Sequence, residues 1–240
     1  MPVIACECAV CKSADFRDKR LRVSVMLEIE EKVIVIDAGP DFRYQMLRAG
    51  VRRLDAIMLT HEHKDHIAGL DDIRAFNYKQ QSAIDIFAHT RVQEALKREF
   101  SYIFSSFKYP GIPMLNLIDI DQVAFNIAGI KVTPIQVMHY KLPILGFRIG
   151  DFTYITDAKT ISEKEREKIK NSKILVINAL QREAHISHFD LAEALAFAAE
   201  MKAEKTYLTH VSHRMGKHED ITKELPSGVE FAYDGLVFDL

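Results

Sequence analysis

Residues 61–66 read His61-Glu62-His63-Lys64-Asp65-His66, so four metal-binding side chains fall within six positions. They follow Ala56-Ile57-Met58-Leu59 and Thr60, an apolar run with the length and composition of a buried strand. At a strand end the backbone turns sharply, and side chains at close spacing can converge on one point. Imidazoles suit zinc, iron or manganese, and a carboxylate adds negative charge to the set. The cluster therefore calls for a sheet whose strand ends carry the functional loops along one edge. A solvated polar turn would not concentrate ligands this densely.

The same context recurs three times. His139 follows Ile135-Gln136-Val137-Met138, Asp157 follows Phe152-Thr153-Tyr154-Ile155-Thr156, and His210 follows Tyr207-Leu208-Thr209. Singly each is weak, since a strand-end His is often a hydrogen-bonded loop residue and Asp157 could cap a helix. With the first four they make seven candidate ligands, enough for two metal ions sharing one carboxylate. Two ions about 3.5–4 Å apart can bind both the attacking and the leaving oxygen of a hydrolytic displacement.

Periodicity supplies the frame. Strands are expected over residues 23–29, 33–36, 56–59, 115–120, 123–127, 130–138, 144–149, 152–156, 173–179 and 207–209. Helical spacing runs over 41–49, 67–77, 90–104, 162–170 and from Asp190 to about Met201. Ser162-x-x-Glu165 has the form of a capping box, and Asp190-x-x-Glu193 opens the last of these helices. Strand–helix alternation flanks a central antiparallel meander, which predicts two sheets with helices on their outer faces. No linker or repeat divides the chain, so residues 1–240 read as a single domain.

The only cysteines, Cys6, Cys8 and Cys11, lie within six residues of one another. Three thiols cannot all pair, and C-x-C-x-x-C has the character of a soft-metal site lacking its fourth ligand. The formal net charge is −2, which disfavours a nucleic-acid partner held mainly through phosphates. No apolar run nears the roughly 20 residues needed to span a bilayer, and no signal peptide is visible. A cytoplasmic protein without membrane attachment is expected.

The order H-x-H-x-D-H, then His, Asp and His, each at a strand end, resembles the metallo-β-lactamase superfamily from about residue 20 to the C-terminus. The resemblance implies an α/β fold, an αβ/βα sandwich of two mixed sheets flanked by helices. It further implies that His61, His63 and His139 hold one divalent ion, that Asp65, His66 and His210 hold another, and that Asp157 bridges. Zinc or manganese fits this ligand set, and Asp65 counts as catalytic through the ion it holds. The true β-lactamases of the best-known type place Cys among these ligands, whereas here all Cys are N-terminal. The flavodiiron branch has Glu where this chain has His63.

Within the superfamily the chain is most similar to the phosphoribosyl 1,2-cyclic phosphate phosphodiesterase (PhnP-like) family. The segments that carry this likeness are Cys6-Glu7-Cys8-Ala9-Val10-Cys11, Leu59 to His66 with Gly69-Leu70, Ser187-His188-Phe189-Asp190-Leu191, and Leu208 to His213. Leu225-Pro226-Ser227-Gly228 and Tyr233-Asp234-Gly235 fit as well. The family resemblance implies a separate structural zinc on Cys6, Cys8, Cys11 and His213. It also implies His188 as the proton donor; His185, three residues earlier, is the residue most easily mistaken for it. Lys141, close after His139, is a candidate phosphate contact.

The expected activity is metal-dependent hydrolysis of a small-molecule phosphodiester, such as a cyclic phosphate of a sugar or nucleotide. Alternatives on the same ligand frame are a thioester hydrolase, an iron-dependent persulfide oxygenase and a tRNA-processing phosphodiesterase. The expectation leaves a homodimer open. The aromatic stretch Phe100, Tyr102, Phe104, Phe107 and Tyr109 reads as core together with a lid.

Overall fold

The computed structural model describes residues 1–107 and 109–240 and divides them into two compact units. One is Arg22–Ile130; the other joins Met1–Leu21 to Lys131–Leu240.

In the unit Arg22–Ile130, β1 (Val25–Ile29) pairs antiparallel with β2 (Lys32–Ile36), Leu27 opposite Ile34. The helices α1 (Phe42–Arg48), α2 (Lys64–Ile67) and α3 (Arg74–Gln80) alternate with β3 (Ala56–Met58) and β4 (Ile84–Ala88). After α4 (Thr90–Glu99) and α5 (Ser101–Phe104) comes β5 (Leu115–Asp119), and β2, β3, β4 and β5 pair in parallel in that order. Ile34, Val35 and Ile36 are all fully buried, which is why this strand reads as a continuous apolar run. Val35, Ile57 and Ile86 pack with Phe42, Leu59, Ile67 and Leu70 in the core.

The expected helix over 67–77 is interrupted by a 3-10 turn at Leu70–Ile73, and the one over 90–104 breaks at Phe100. The segment expected to open the meander, β5, pairs in parallel with β4 instead. Apolar alternation marks a strand but does not name its neighbour. The short strand β6 (Phe125–Ile127) places Phe125 in a stack on Phe87.

Two glycines seat the His61–His66 motif. A Cβ at Gly39 would lie 2.0 Å from the Asp65 carbonyl oxygen, and one at Gly69 would lie 2.1 Å from that of Gly39. This approach lets the Ala38 N–H donate to the His66 carbonyl at 2.7 Å and the Gly69 N–H to that of Ala38 at 2.8 Å.

In the other unit, β7 (Ile130–His139), β8 (Leu142–Ile149) and β9 (Phe152–Ile155) form the antiparallel meander. β9 then pairs in parallel with β10 (Ile174–Asn178), β10 with β11 (Lys205–Thr209), and β11 with β12 (Val229–Phe231). Both sheets are therefore mixed. α6 (Glu163–Glu167), α7 (Leu191–Met201) and α8 (His218–Ile221) complete the unit.

The Asp190/Glu193 capping box forms at α7. The Ser162/Glu165 box does not: the Ser162 side chain makes no cap bond. Glu165 is buried and instead accepts from the Gln136 N–H at 2.9 Å and from Lys168 at 2.8 Å. A buried carboxylate is held better by a strand amide and an ammonium than by its own helix end.

Polar bonds fasten the N-terminal segment to the rest of this unit. Arg20 donates through Nη2 to His218 Nδ1 at 2.9 Å and through Nε to the Ala232 carbonyl at 3.0 Å. The His218 N–H donates to Asp18 Oδ1 at 2.8 Å. No helix among the described residues is long and apolar enough to cross a membrane.

Candidate metal centre

The motif in the unit Arg22–Ile130 starts just after β3. His61 leaves the strand end, His63 is the N-cap of α2, and Asp65 and His66 lie in its first turn. His61 Nε2 is 3.1 Å from His63 Nδ1, and His66 Nε2 is 3.5 Å from Asp65 Oδ2. His61 and His66 are fully buried, and their ring centroids are 4.1 Å apart.

A carboxylate behind these rings sets their orientation. Asp37, fully buried after β2, adopts a left-handed backbone (φ 64°) that turns its side chain to the motif. Its oxygens accept from the Thr60 N–H at 2.9 Å, from the Thr60 hydroxyl at 2.9 and 3.1 Å, and from His66 Nδ1 at 2.7 Å. With its hydroxyl hydrogen committed to Asp37, Thr60 Oγ accepts from His61 Nδ1 at 3.0 Å. Both rings thus carry hydrogen on Nδ1 and their lone pair on Nε2, the tautomer a metal ligand needs. A lone-pair nitrogen beside the Asp65 carboxylate makes a donor set that suits a divalent cation.

In the other unit Asp157 is the hub. It follows β9 with φ 56° and is buried. Its Oδ1 lies 2.9 Å from His188 Nε2 and 3.3 Å from His210 Nε2, and Oδ2 accepts from the Thr156 hydroxyl at 2.6 Å. The candidate ligand atoms of His139, Asp157 and His188 all lie within 4.8 Å of one another. Asn178, at the end of β10, clamps the turn by bonding the Ala158 N–H and carbonyl at 2.8 and 3.0 Å. His210 ends β11 in a left-handed conformation (φ 54°). Burial pushes His188 below the ordinary imidazole range; the Asp157 carboxylate opposes this, and His210 and His139 add to it.

His139 donates through Nδ1 to the Ser187 carbonyl at 2.9 Å. The Ser187 hydroxyl is 3.0 Å from His188 Nδ1 and 3.3 Å from His185 Nδ1. His185 Nδ1 is itself 3.2 Å from His188 Nδ1, so His185 is a neighbour of His188 and not merely a decoy in the sequence. Lys141, exposed at the β7–β8 hairpin tip, holds its ammonium 5.3 Å from the centre of the Tyr140 ring.

A second donor set gathers Cys6, Cys8, Cys11 and His213. The three Sγ atoms lie 3.2, 3.5 and 3.5 Å from His213 Nδ1. Zinc–sulfur and zinc–nitrogen bonds of about 2.3 and 2.0–2.1 Å at a tetrahedral angle give a sulfur–nitrogen edge near 3.6 Å. Soft thiolates with one imidazole at this spacing fit zinc. Cys8 is pulled down to about 6, chiefly by the Cys11 N–H, with the His213 ring and the other two thiols adding to it.

Asp37, Thr60 and Ser187 went unmarked as site residues in the sequence. Asp37 stands after an apolar run, as His139, Asp157 and His210 do, and that context was its signal; the following Gly39-Pro40 gave it the look of a mere strand stop. Of the aromatic stretch, Phe100 and Phe104 pack against the core, while Phe107 and Tyr109 are exposed.

Comparison with known proteins adds a family. The model of the beta-lactamase superfamily domain matches residues 32–211. A solved structure described as a new diphosphatase from the PhnP family is 37% identical, with a TM-score of 0.92 over 98% of this chain and 90% of that one. The octanoyltransferase of Porphyromonas gingivalis is 38% identical over 239 residues, 98% of this chain but 48% of that protein. The exodeoxyribonuclease WalJ of Streptococcus pneumoniae is 26% identical over 220 residues, 79% of this chain and 77% of its own. The chain thus spans about half the length of the first of these curated relatives.

Proposed function

Since this chain belongs to the metallo-β-lactamase superfamily, and within it to the PhnP family, we propose that it is a metal-dependent hydrolase of a small-molecule phosphodiester. A cyclic phosphate of a sugar or nucleotide is the substrate class this reading favours. The observation that carries it is the Asp157 hub, a buried carboxylate whose one oxygen faces two imidazole nitrogens. Such a carboxylate suits the bridging position of a dinuclear centre.

In this reading His61, His63 and His139 hold one ion, Asp65, His66 and His210 the other, and Asp157 is shared. Zinc or manganese bound there would neutralise charge on phosphoryl oxygens and make water more acidic. The chain's own contribution is orientation and proton transfer. Asp37 and Thr60 fix the tautomers of His66 and His61, and His188 gives a proton to the leaving oxygen from Nε2. Cys6, Cys8, Cys11 and His213 hold a structural zinc, with no position left open for substrate.

A thioester hydrolase is the second reading, favoured by the 38% identity to a protein named octanoyltransferase. The protein loaded separately with zinc and with manganese should be assayed on a ribose cyclic phosphate, a linear sugar phosphodiester and an acyl thioester. Metal-dependent turnover of a phosphodiester, lost together with bound metal in Asp65→Ala, is expected. Turnover of the thioester alone would replace the first reading with the second, and activity indifferent to chelation would overturn both.

A further inference from the structure

We infer that Ser187 is a positioning residue that aligns two rings at once, His139 through its carbonyl and His188 through its hydroxyl; the inference rests on the hydrolase reading above.

The two bonds diverge from a single residue. His139 Nδ1 donates to Ser187 O at 2.9 Å, which leaves the His139 lone pair on Nε2. Ser187 Oγ stands 3.0 Å from His188 Nδ1, on the far side of the ring from the Nε2 that meets Asp157 at 2.9 Å. A hydroxyl can donate to a bare nitrogen and accept from a protonated one. It therefore grips Nδ1 in both proton states and keeps Nε2 aimed in one direction. Without that grip the broad, roughly two-fold rotation about the imidazole bond would let the ring leave this aim.

The segment is anchored so that Ser187 cannot follow a wandering ring. The Phe189 N–H donates to the Ala158 carbonyl at 2.8 Å, and the Leu180 N–H donates to that of Phe189 at 2.9 Å. The Leu191 N–H donates to the Gln181 carbonyl at 2.9 Å, and the Asp190/Glu193 box closes the start of α7. His185 backs the arrangement, since its Nδ1 accepts from the Ser187 N–H at 3.3 Å. The bracket thus joins the end of β7, the turn after β9 and the start of α7.

The experiment compares Ser187→Ala, Ser187→Thr and His188→Ala in the metal-loaded full chain. A ribose cyclic phosphate has an alkoxide leaving group; bis(4-nitrophenyl) phosphate has one that departs without a proton. Ser187→Ala should lose about 10–100-fold in kcat on the cyclic phosphate, with KM within about twofold, and less than about threefold on the nitrophenyl ester. Ser187→Thr, which keeps a hydroxyl, should recover most of the loss. The metal-free protein gives a second readout from long-range nitrogen–proton spectra of labelled histidines, taken well above the imidazole range. The His188 tautomer balance should shift between the parent and Ser187→Ala, while His139 stays Nδ1–H in both because the carbonyl remains. Wild-type kcat on the cyclic phosphate in Ser187→Ala, beside a selective loss in His188→Ala, would overturn the role of Ser187. Equal losses on both substrates in His188→Ala would place the failure in the acid assignment, and the nitrogen spectra would then decide whether Ser187 aligns the ring.

Discussion

His66 Nδ1 lies 2.7 Å from Asp37 Oδ2, and neither side chain has any exposure to solvent. A buried carboxylate tolerates this place because it accepts from the Thr60 N–H and hydroxyl and from His66 Nδ1. Asp37 and the Thr60–His66 segment are therefore one polar cluster, although residues 38–59 separate them in sequence.

Asp37→Asn should weaken metal binding about 10–100-fold, since outer-shell partners of metal-ligating histidines have effects of that size. The amide would also offer a donor toward an imidazole N–H that needs an acceptor. Metal titration of the variant by calorimetry measures this, and unchanged affinity would show that Asp37 has only a structural role.

Gly69→Ala should destabilise the fold by about 1–3 kcal/mol, the usual cost of forcing added volume into a packed site. The new methyl would meet backbone, 2.1 Å from the Gly39 carbonyl oxygen, so no side chain can swing away to admit it. Urea unfolding gives the loss. Because Ala38, next to the Gly39 carbonyl it would push, donates its N–H to the His66 carbonyl, metal affinity should fall in the same variant.

Cys8→Ser should lower the melting temperature and release zinc without abolishing turnover by the folded fraction. The hydroxyl is a poor zinc ligand, and on the proposed reading a four-ligand set leaves no position for substrate. Elemental analysis beside thermal melts tests it. One zinc fewer per chain with the melting temperature unchanged would contradict a structural role.

His218 predicts an acid limit to stability. Its pKa is lowered, first by burial and then by the charges of Arg20 and Arg17. A folded-state pKa below the unfolded one means that the unfolded chain binds the proton more readily. The contribution is therefore intact above the ordinary imidazole value, about 6.5, and is lost as pH falls from there through the folded-state pKa. Protonation would set a second cation against the Arg20 guanidinium, whose Nη2 lies 2.9 Å from Nδ1. Urea midpoints measured across this range should fall more steeply in the parent than in His218→Gln.

The candidate ligand positions stand out in the sequence because strand ends leave a plain mark, an apolar run closing on His or Asp. The Asp190/Glu193 capping box was legible for a similar reason, since both of its bonds are local. Ser162 and Glu165 have the same spacing, but Glu165 is drawn into the core by the Gln136 amide in β7, a partner 29 positions away that no local pattern reports. The parallel pairing of β5 with β4 was hidden for the same reason. Asp37, Thr60 and Ser187 act through hydrogen bonds to rings. Short polar residues in turns are too common for their spacing to reveal such bonds.

The donor set of Cys6, Cys8, Cys11 and His213 has a consequence for synthesis. The thiols leave the ribosome before the imidazole, which follows 202 positions after Cys11. At about 5–20 residues per second that is a delay of roughly 10–40 s. The segment Arg22–Ile130 can fold during this interval, while Met1–Leu21 waits for the partners that fix it. Nascent chains therefore present three bare thiols to metal and oxidant throughout this interval, and the donor set closes only once His213 has emerged.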